Sequence, residues 1–518
     1  GLNRYRGPYP SKRGMAFTPR IADDFMPLCF RFRIGIAAAS LLPMPGFATA
    51  ALAQTPPPAG VPLGDGLLDL PELRPEKPEI GTSISADANA GAPAMTLGGA
   101  DLQKDPQLAD MVLGQAIQAK AWPNVASILT YYRDIPGHDP MMALYAQGAL
   151  DRQQGHHGRA IDAYRQMIGQ DAALDYVRLD LAAMMFEDRR YRDAQRMFDI
   201  LRRDPDLVPG AKEAVDRYLA SIGEQTGWNG TIRLGYKYND NVNNASSDRF
   251  LYIFGLPFEK NPESLPHAAN AITYHVNANR DFNLGGNHFV GVDATVEGDH
   301  YWDDAPWREV TATLRAGYKY RNLKSWFSAM PNISQQWLGG ARYRRNIGGS
   351  IEYGRWVSPQ WQIIGNYSYF NKKYDQPGHS FYDGDLHALS ATAVHFLSPR
   401  TIIYGGLTAQ RDLVEAKDES STRAGASVGL VKLSKGGLEV RANARYGYRK
   451  FDALGIWDRT RIRRDHEYQF DASLSHEKLR FHGIAPRLAW QLLYVDSSIS
   501  SLYSRTGNQV IVSLETVF

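Results

Sequence analysis

The sequence predicts an α+β protein in two parts: an N-terminal domain of helical repeats, and a C-terminal antiparallel β-barrel that spans a membrane. Three observations carry this prediction. Residues after about 227 alternate between apolar and polar side chains over strand-length segments. Residues 101–226 instead repeat small and aromatic residues at a spacing of 34. The mean hydropathy of −0.39 excludes a bundle of membrane helices, so a membrane protein of this composition should be a barrel.

Residues 1–53 are predicted to be a signal peptide region. Two arginines precede the apolar run 34–42, and small residues matching an A-x-A cleavage site follow, which predicts export with Gln54 as the mature start. The single cysteine, Cys29, precedes that run, so the mature chain would lack disulfides and thiolate chemistry. Removing this segment leaves 51 basic and 53 acidic residues, and that balance gives no reason to expect a nucleic-acid partner.

Residues 54–100 are rich in Pro, Gly and Ala, which predicts a linker, and residues 101–226 are predicted to form a periplasmic domain of tetratricopeptide repeats. Small residues at a spacing of 34 should allow two helices to cross closely, and an aromatic four residues later should fill the space between them. The first repeat departs from this pattern, with Thr130 in place of the aromatic and Pro123 within a helix. Stacked repeats form a concave groove suited to a peptide or protein. The predicted packing residues are Gly114, Ala126, Gly148, Ala160, Tyr164, Ala182, Ala194 and Phe198.

Residues 227–518 are predicted to be an outer-membrane β-barrel of about 14 strands. In Leu438–Arg449 an apolar residue alternates strictly with a charged or polar residue or a glycine. Six tight turns recur roughly every 36 to 41 residues and alternate with seven opposite loops, mostly longer, as in outer-membrane barrels. The tight turns lie near 284–287, 322–324, 358–360, 398–400, 434–437 and 476–478. The inward set of charges predicts a wet, mixed-charge lumen.

Aromatic residues support a lipid environment for this barrel. Nine of the ten tryptophans fall in it, mostly near predicted strand ends, where the ring suits the headgroup layer: Trp228, Trp302, Trp307, Trp326, Trp337, Trp356, Trp361, Trp457 and Trp490. The chain ends in an alternating strand whose last outward residues are Leu514, Thr516 and Phe518. This ending is similar to the signal read by the barrel-assembly machinery, so that machinery and outer-membrane lipid are predicted partners.

The junction between the two parts, residues 227–246, contains Trp228, Asn239, Asp240, Asn241 and Asn243. It resembles the start of the barrel in the surface lipoprotein assembly modulators, a family with N-terminal tetratricopeptide repeats and a fourteen-strand barrel. The resemblance implies an outer-membrane protein whose periplasmic repeats receive a client lipoprotein or secreted binding protein and whose barrel helps to deliver it to the cell surface. No cofactor is predicted.

Two other functions compete with this interpretation. Exopolysaccharide exporters also join periplasmic repeats to a barrel, usually with many more repeats than the three predicted here. A phospholipase or protease barrel would need a catalytic constellation, and none is recognisable, so the chain is predicted not to be an enzyme. Asp303-Asp304 is predicted to be a solvated loop tip, the 239–248 segment a polar surface loop, and His156-His157 a turn without a metal.

Overall fold

The computed structural model of the 518-residue chain describes residue 102 and residues 105–253, 256–456 and 458–518. The predicted signal region, the linker at 54–100 and Trp457 lie outside the described residues.

In the repeat domain, consecutive helices run antiparallel to each other. They are α1 (Pro106–Gln118), α2 (Trp122–Tyr132), α3 (Pro140–Gln153), α4 (His157–Gln170), α5 (Asp175–Glu187), α6 (Tyr191–Arg202) and α7 (Pro209–Thr226). Asp105 and Asp139 accept hydrogen bonds from the first turns of α1 and α3 and so cap them. Pro123 lies in the first turn of α2 rather than inside the helix, a position that needs no amide hydrogen. Among the described helices, none has the length and apolar character needed to cross a bilayer.

Small and aromatic residues alternate in the core of the second and third repeats. Ala160, Ala182 and Ala194 are fully buried, and so are the rings of Tyr164 and Phe198. A side-chain carbon on Gly148 would lie 2.2 Å from Tyr164, so the ring occupies the space that glycine leaves. Gly114 and Ala126 of the first repeat are only half-buried, and that repeat packs instead through Val125, Ile128, Leu129 and Tyr132.

The β-strands of residues 229–517 form a closed antiparallel barrel of 14 strands, as predicted. β1 (Asn229–Asn239) pairs with both β4 and β16, while β2 (Phe250–Ile253) and β3 (Leu256–Glu259) form a separate hairpin. The remaining strands are β4 (Ala269–Gly285), β5 (His288–Tyr301), β6 (Glu309–Arg321), β7 (Ser325–Leu338), β8 (Ala341–Ser358), β9 (Trp361–Tyr374), β10 (Gly384–Ser398), β11 (Thr401–Val414), β12 (Ser421–Leu433), β13 (Leu438–Leu454), β14 (Ile462–His476), β15 (Ala485–Ser497) and β16 (Arg505–Val517). A short helix, α8 (Ser500–Tyr503), lies between β15 and β16.

Strand alternation places charged side chains inside the barrel and apolar ones outside. In β13, Arg441, Asn443 and Arg449 are buried, whereas Tyr446 is exposed on the outer face. The predicted alternation is therefore confirmed for this strand. The prediction that tryptophan rings face the lipid headgroups is wrong for Trp326 and Trp356. Trp326 donates to Glu352 and Trp356 contacts Phe396, so both rings lie on the inner face.

Connections at the two ends of the barrel differ in length, as predicted. Five of the short turns have two to four residues between strands, whereas the β14–β15 connection spans residues 477–484 and contains a 3-10 turn. The repeat domain adjoins the end with the short turns, which is the periplasmic end of an outer-membrane barrel.

Candidate functional site: repeat groove, periplasmic junction and barrel lumen

An aromatic surface joins the first helices of the second and third repeats, α3 and α5. The Tyr145 ring stacks on Tyr164 with ring centroids 5.5 Å apart and meets the edge of Tyr176 at 5.9 Å. Tyr176 is 58% exposed, so a partner can reach its ring. Large flat side chains of this kind supply contact area at little cost in conformational entropy.

A charged cluster lies beside these rings and links α3, α4 and α5. Arg152 reaches Glu187 through Nη2 at 2.6 Å and through Nε at 3.3 Å, and its Nη1 lies 3.7 Å from Asp180. The Nε2 atom of His157 lies 3.2 Å from Glu187. Burial opposes the ionisation of Glu187, but hydrogen bonds from His157 and Arg152 outweigh burial and lower the pKa of Glu187 to about 2. Burial raises the pKa of Asp180, although Arg152 opposes this effect.

This cluster was missed by sequence reasoning, because the period of 34 identifies packing positions rather than groove positions. Of the two histidines singled out from the sequence, His157 bonds to Glu187, while His156 contacts Arg159 and Asp151. Within the described residues, no three or more His, Cys, Asp or Glu side chains are grouped to hold a metal ion.

The turn between α5 and α6 docks on two periplasmic turns of the barrel. The Nδ2 atom of Asn287, in the β4–β5 turn, donates to the backbone carbonyl of Asp188 and, at 2.8 Å, to that of Arg321. The carboxylate of Asp188 accepts from the amide of Leu323 at 3.3 Å, and that of Asp193 accepts from the amide of Gly286 at 2.9 Å. Asn287 is 5% exposed, so this contact is a buried polar interface.

Apolar packing extends the same interface into the barrel. Phe289, on the inner side of β5, is 1% exposed and belongs to the hydrophobic core of the repeats. Its ring meets that of Tyr191 edge-on, with centroids 6.1 Å apart. Beyond this contact, α7 leads into β1 through two residues, and Arg280 donates to the carbonyl of Thr226 at 3.0 Å. The repeats are therefore held to the barrel both through the chain and through a packed interface.

The lumen is lined by ion pairs, most of which join different strands. Arg233 of β1 pairs with Glu515 of β16 at 3.1 Å, and Lys237 pairs with Asp299 at 2.7 Å. The predicted inward charges Arg315, Lys319, Arg441, Arg445, Arg449 and Glu297 are also paired. Their partners are, in turn, Asp293, Asp281, Glu439, Asp471, Glu467 and His275.

The periplasmic ends of β9–β12 carry a patch of apolar residues on the same inner face, which the prediction of a mixed-charge lumen did not include. Val394, Ile402, Tyr404 and Val431 are buried there, with Ile364 and Phe396 packed against them. A side-chain carbon on Gly429 would lie 2.1 Å from the Tyr404 ring, so glycine makes room for that ring.

Junction residues lie at opposite ends of β1. Trp228 precedes the strand at the periplasmic end and is 52% exposed, whereas Asn239, Asn241 and Asn243 at the other end are at most 5% exposed. The prediction of a polar surface loop is therefore wrong for these three asparagines, because their amides satisfy backbone groups inside the loop.

The hydrogen bonds of this segment fasten β1 to β16. The Nδ2 atom of Asn241 donates to the carbonyls of Ala245 and Thr506, each at 2.9 Å. Asp240 accepts from the amide and the side chain of Asn508 at 2.6 and 2.8 Å. At the periplasmic end, Phe518 and Gly230 exchange two backbone hydrogen bonds. The seam between the first and last strands is thus closed at both ends.

The last strand presents its predicted outward residues to the lipid side. Leu514 and Phe518 are 55% and 54% exposed, and Thr516 is half-buried beside them. Thr516 pairs with Ile232 and Leu514 with Leu234 across the seam.

Asp303 and Asp304 organise their own loop. Asp303 accepts from the amide and the side chain of Asn270, and these hydrogen bonds lower its pKa. Asp304 lies 2.9 Å from Nδ1 of His267. Each carboxylate therefore has its own polar partner.

Comparison with known proteins agrees with this architecture. The family model described as surface lipoprotein assembly modifier matches residues 228–518, and the model for the N-terminal TPR repeats of that family matches residues 95–198. The surface lipoprotein assembly modifier of Pasteurella multocida (strain Pm70) is 25% identical over 372 residues, which cover 68% of this chain and 72% of the relative. Surface lipoprotein assembly modifier 1 of Haemophilus influenzae (strain Rd) is 24% identical, with coverages of 88% and 94%. The hemophilin secretion modulator of Acinetobacter baumannii is 22% identical, with coverages of 80% and 87%.

Proposed function

Because this chain belongs to the surface lipoprotein assembly modifier family, we propose that it delivers lipoproteins, or related secreted binding proteins, to the bacterial cell surface. It acts in the outer membrane, with its repeat domain in the periplasm. The names of the relatives, surface lipoprotein assembly modifier and hemophilin secretion modulator, support a protein client and do not favour export of a polysaccharide. The family is one of assembly factors, so we infer no enzymatic role.

One observation carries this proposal: the repeat array is attached to the periplasmic rim of the barrel. The α5–α6 turn that contacts Asn287 follows directly from α5, the helix that carries Tyr176 and Glu187. A client held on the α3–α5 surface is therefore kept beside the periplasmic mouth. Fixing two sites in one geometry raises the effective concentration of one at the other.

Residues identified from the sequence have distinct proposed roles. We infer that residues 101–226 bind the client in the periplasm. The barrel, residues 227–518, then helps to deliver it across the outer membrane. Gly148, Tyr164 and their counterparts would set the curvature of the groove. Phe518, with Thr516 and Leu514, would be read by the barrel-assembly machinery during insertion into the lipid bilayer. The junction residues Asn239 to Asn243 would hold the extracellular end of the seam.

The test is the surface display of a candidate client lipoprotein in cells that contain the full-length chain. Protease accessibility of the client on intact cells should depend on this protein. Asn287→Ala removes the side chain that bridges Asp188 and Arg321, so display should fall several-fold while the barrel still inserts. Gln360→Ala alters an exposed residue of the β8–β9 turn and should leave display unchanged.

Heat-modified migration in gels reports whether each variant barrel is folded. Unchanged display without this protein would refute delivery of that client. Equal display with Asn287→Ala and Gln360→Ala would refute the role of the docked repeats.

A further inference from the structure

Arginines outnumber carboxylates on one part of the lumen wall, near the extracellular ends of β12–β16. Arg423 lies opposite Arg449, Arg449 opposite Asp465, and Val495 opposite Arg505 in the strand register. The charged inward residues of these strands in this region are Arg423, Arg449, Arg463, Arg505, Asp465 and Glu467. Four arginines and two carboxylates leave two positive charges in excess.

Both carboxylates are already engaged by three of the arginines. Arg463 pairs with Asp465 at 2.6 Å. Glu467 is shared between Arg423 at 2.6 Å and Arg449 at 3.4 Å. The local excess of charge therefore remains after every close pair has formed.

Arg505 is buried without a carboxylate of its own. It is 7% exposed, its Nη1 donates to the carbonyl of Tyr503 at 3.3 Å, and within the described residues its Nε has no hydrogen-bond partner. The buried Nε of Arg449 also lacks a hydrogen bond there. A buried donor without an acceptor is costly, and a buried charge more so. Arg505 therefore has an unsatisfied guanidinium donor, while the Nε of Arg449 has only its long ion pair with Glu467.

Aromatic rings and an extracellular loop close this region from above. Arg463 lies over the rings of Phe451 and Tyr503, at 4.3 and 3.5 Å from their centroids. Glu419, in the loop between β11 and β12, faces the cluster but forms no ion pair within 4 Å in the described structure. Burial, with the nearby carboxylate of Asp418, raises the pKa of Glu419 to about 7 although Arg463 and Arg449 oppose the rise. At neutral pH this carboxyl therefore offsets only part of the positive excess.

We propose that Arg423, Arg449, Arg463 and Arg505 form a binding site for a diffusible oxyanion at the extracellular end of the lumen. Guanidinium groups hold carboxylate and phosphate oxygens through paired N–H donors. The unpaired Nε of Arg505 would complete its hydrogen bond on such a group, and Arg449 could add a second donor. Low exposure strengthens the attraction, because little water competes for it.

Isothermal titration calorimetry of the full-length protein in detergent, with inorganic phosphate at constant ionic strength and pH 7.5, tests this site. We expect saturable binding of one phosphate to each chain. Arg505→Gln should weaken phosphate binding at least tenfold. Arg505→Lys keeps the positive charge but loses the paired N–H donors of the guanidinium group, so it should weaken binding several-fold. Arg400→Gln, an exposed arginine in the β10–β11 turn, is the matched control and should bind as the wild type does.

Heat-modified gel migration of each variant separates loss of the site from loss of the fold. If Arg505→Gln does not fold into a barrel, Arg505→Lys replaces it as the test variant. Glu419→Gln distinguishes the two possible sources of the oxyanion. Phosphate binding to the wild type, strengthened in Glu419→Gln, supports a diffusible ligand. Binding only in Glu419→Gln would mean that the chain's own carboxyl occupies the site, and it would overturn the proposal. Absence of binding in both proteins, or equal binding in Arg505→Gln, would overturn it as well.

Discussion

Glu187→Gln should destabilise the repeat domain at neutral pH and lose that effect in acid. The carboxylate of Glu187 bonds to two atoms of Arg152 and to His157, and its pKa is lowered from 4.5 to about 2. Each pH unit of displacement is worth about 1.36 kcal/mol, which sets an upper limit of about 3 kcal/mol. A third of the side chain is exposed, so screening by water reduces the expected effect to about 1 to 2 kcal/mol.

The sign of the pH dependence follows from the lowered pKa. Ionised Glu187 stabilises the folded state fully above about pH 4.5, and this contribution disappears as the pH falls towards 2. The difference between the wild type and Glu187→Gln should therefore shrink across the same interval. In the variant, Arg152 keeps Asp180 as a partner at 3.7 Å, which limits the loss.

Thermal unfolding of the helices, followed by circular dichroism at 222 nm in the full-length protein, measures this effect. At pH 7 the variant should unfold roughly 3 to 8 °C below the wild type. Glu213→Gln is the control, because Glu213 is a surface residue of α7 that is 76% exposed and faces Arg217 at 3.9 Å. Equal melting of Glu187→Gln and wild type at pH 7, or a difference that persists undiminished at pH 2, would refute the electrostatic explanation.

Two further substitutions test packing and the seam. Gly148→Ala should cost about 1 to 2 kcal/mol in the same melting experiment, because the strain of meeting the Tyr164 ring exceeds the gain in helix propensity. Gly169→Ala has no atom within 4 Å to meet and should be neutral or stabilising by up to about 1 kcal/mol, and the reverse order would contradict this packing argument. Asn241→Ala should make residues 240–268 more sensitive to protease added outside intact cells, because its bonds to Ala245 and Thr506 are lost; unchanged cleavage would show that the seam contact does not order the loop.

Much of the fold could be predicted from the sequence, because the two periodicities report directly on burial. The alternation in β13 and the spacing of the turns depend on local geometry, and so they were visible without a structure. The first repeat was harder. Its buried residues, Val125 and Leu129 among them, are displaced from the expected positions Ala126 and Thr130, because Trp122 and Pro123 begin α2.

Functional contacts were less predictable, since they join residues far apart in sequence. Asn287 and Asp188 are 99 residues apart, and neither departs from the composition of an ordinary turn. Asn241 and Thr506 are separated by 265 residues. The side chains of Asn239 to Asn243 were predicted to be solvated because a polar run is usually a surface loop. Here the loop folds back on β16, and the amides replace water as partners of the backbone.

These contacts are distributed asymmetrically around the barrel. The repeats dock on the turns that follow β4 and β6, while the inward apolar patch around Val394 and Tyr404 lies at the periplasmic ends of β9–β12. The arginine excess lies at the opposite, extracellular end, on β12–β16. The apolar patch shares the periplasmic end with ion pairs such as Lys319 with Asp281 and Arg441 with Glu439. The β1–β16 seam is closed by Phe518 at the periplasmic end and by Asp240 and Asn241 at the extracellular end. Separating β1 from β16 would therefore break both sets of hydrogen bonds.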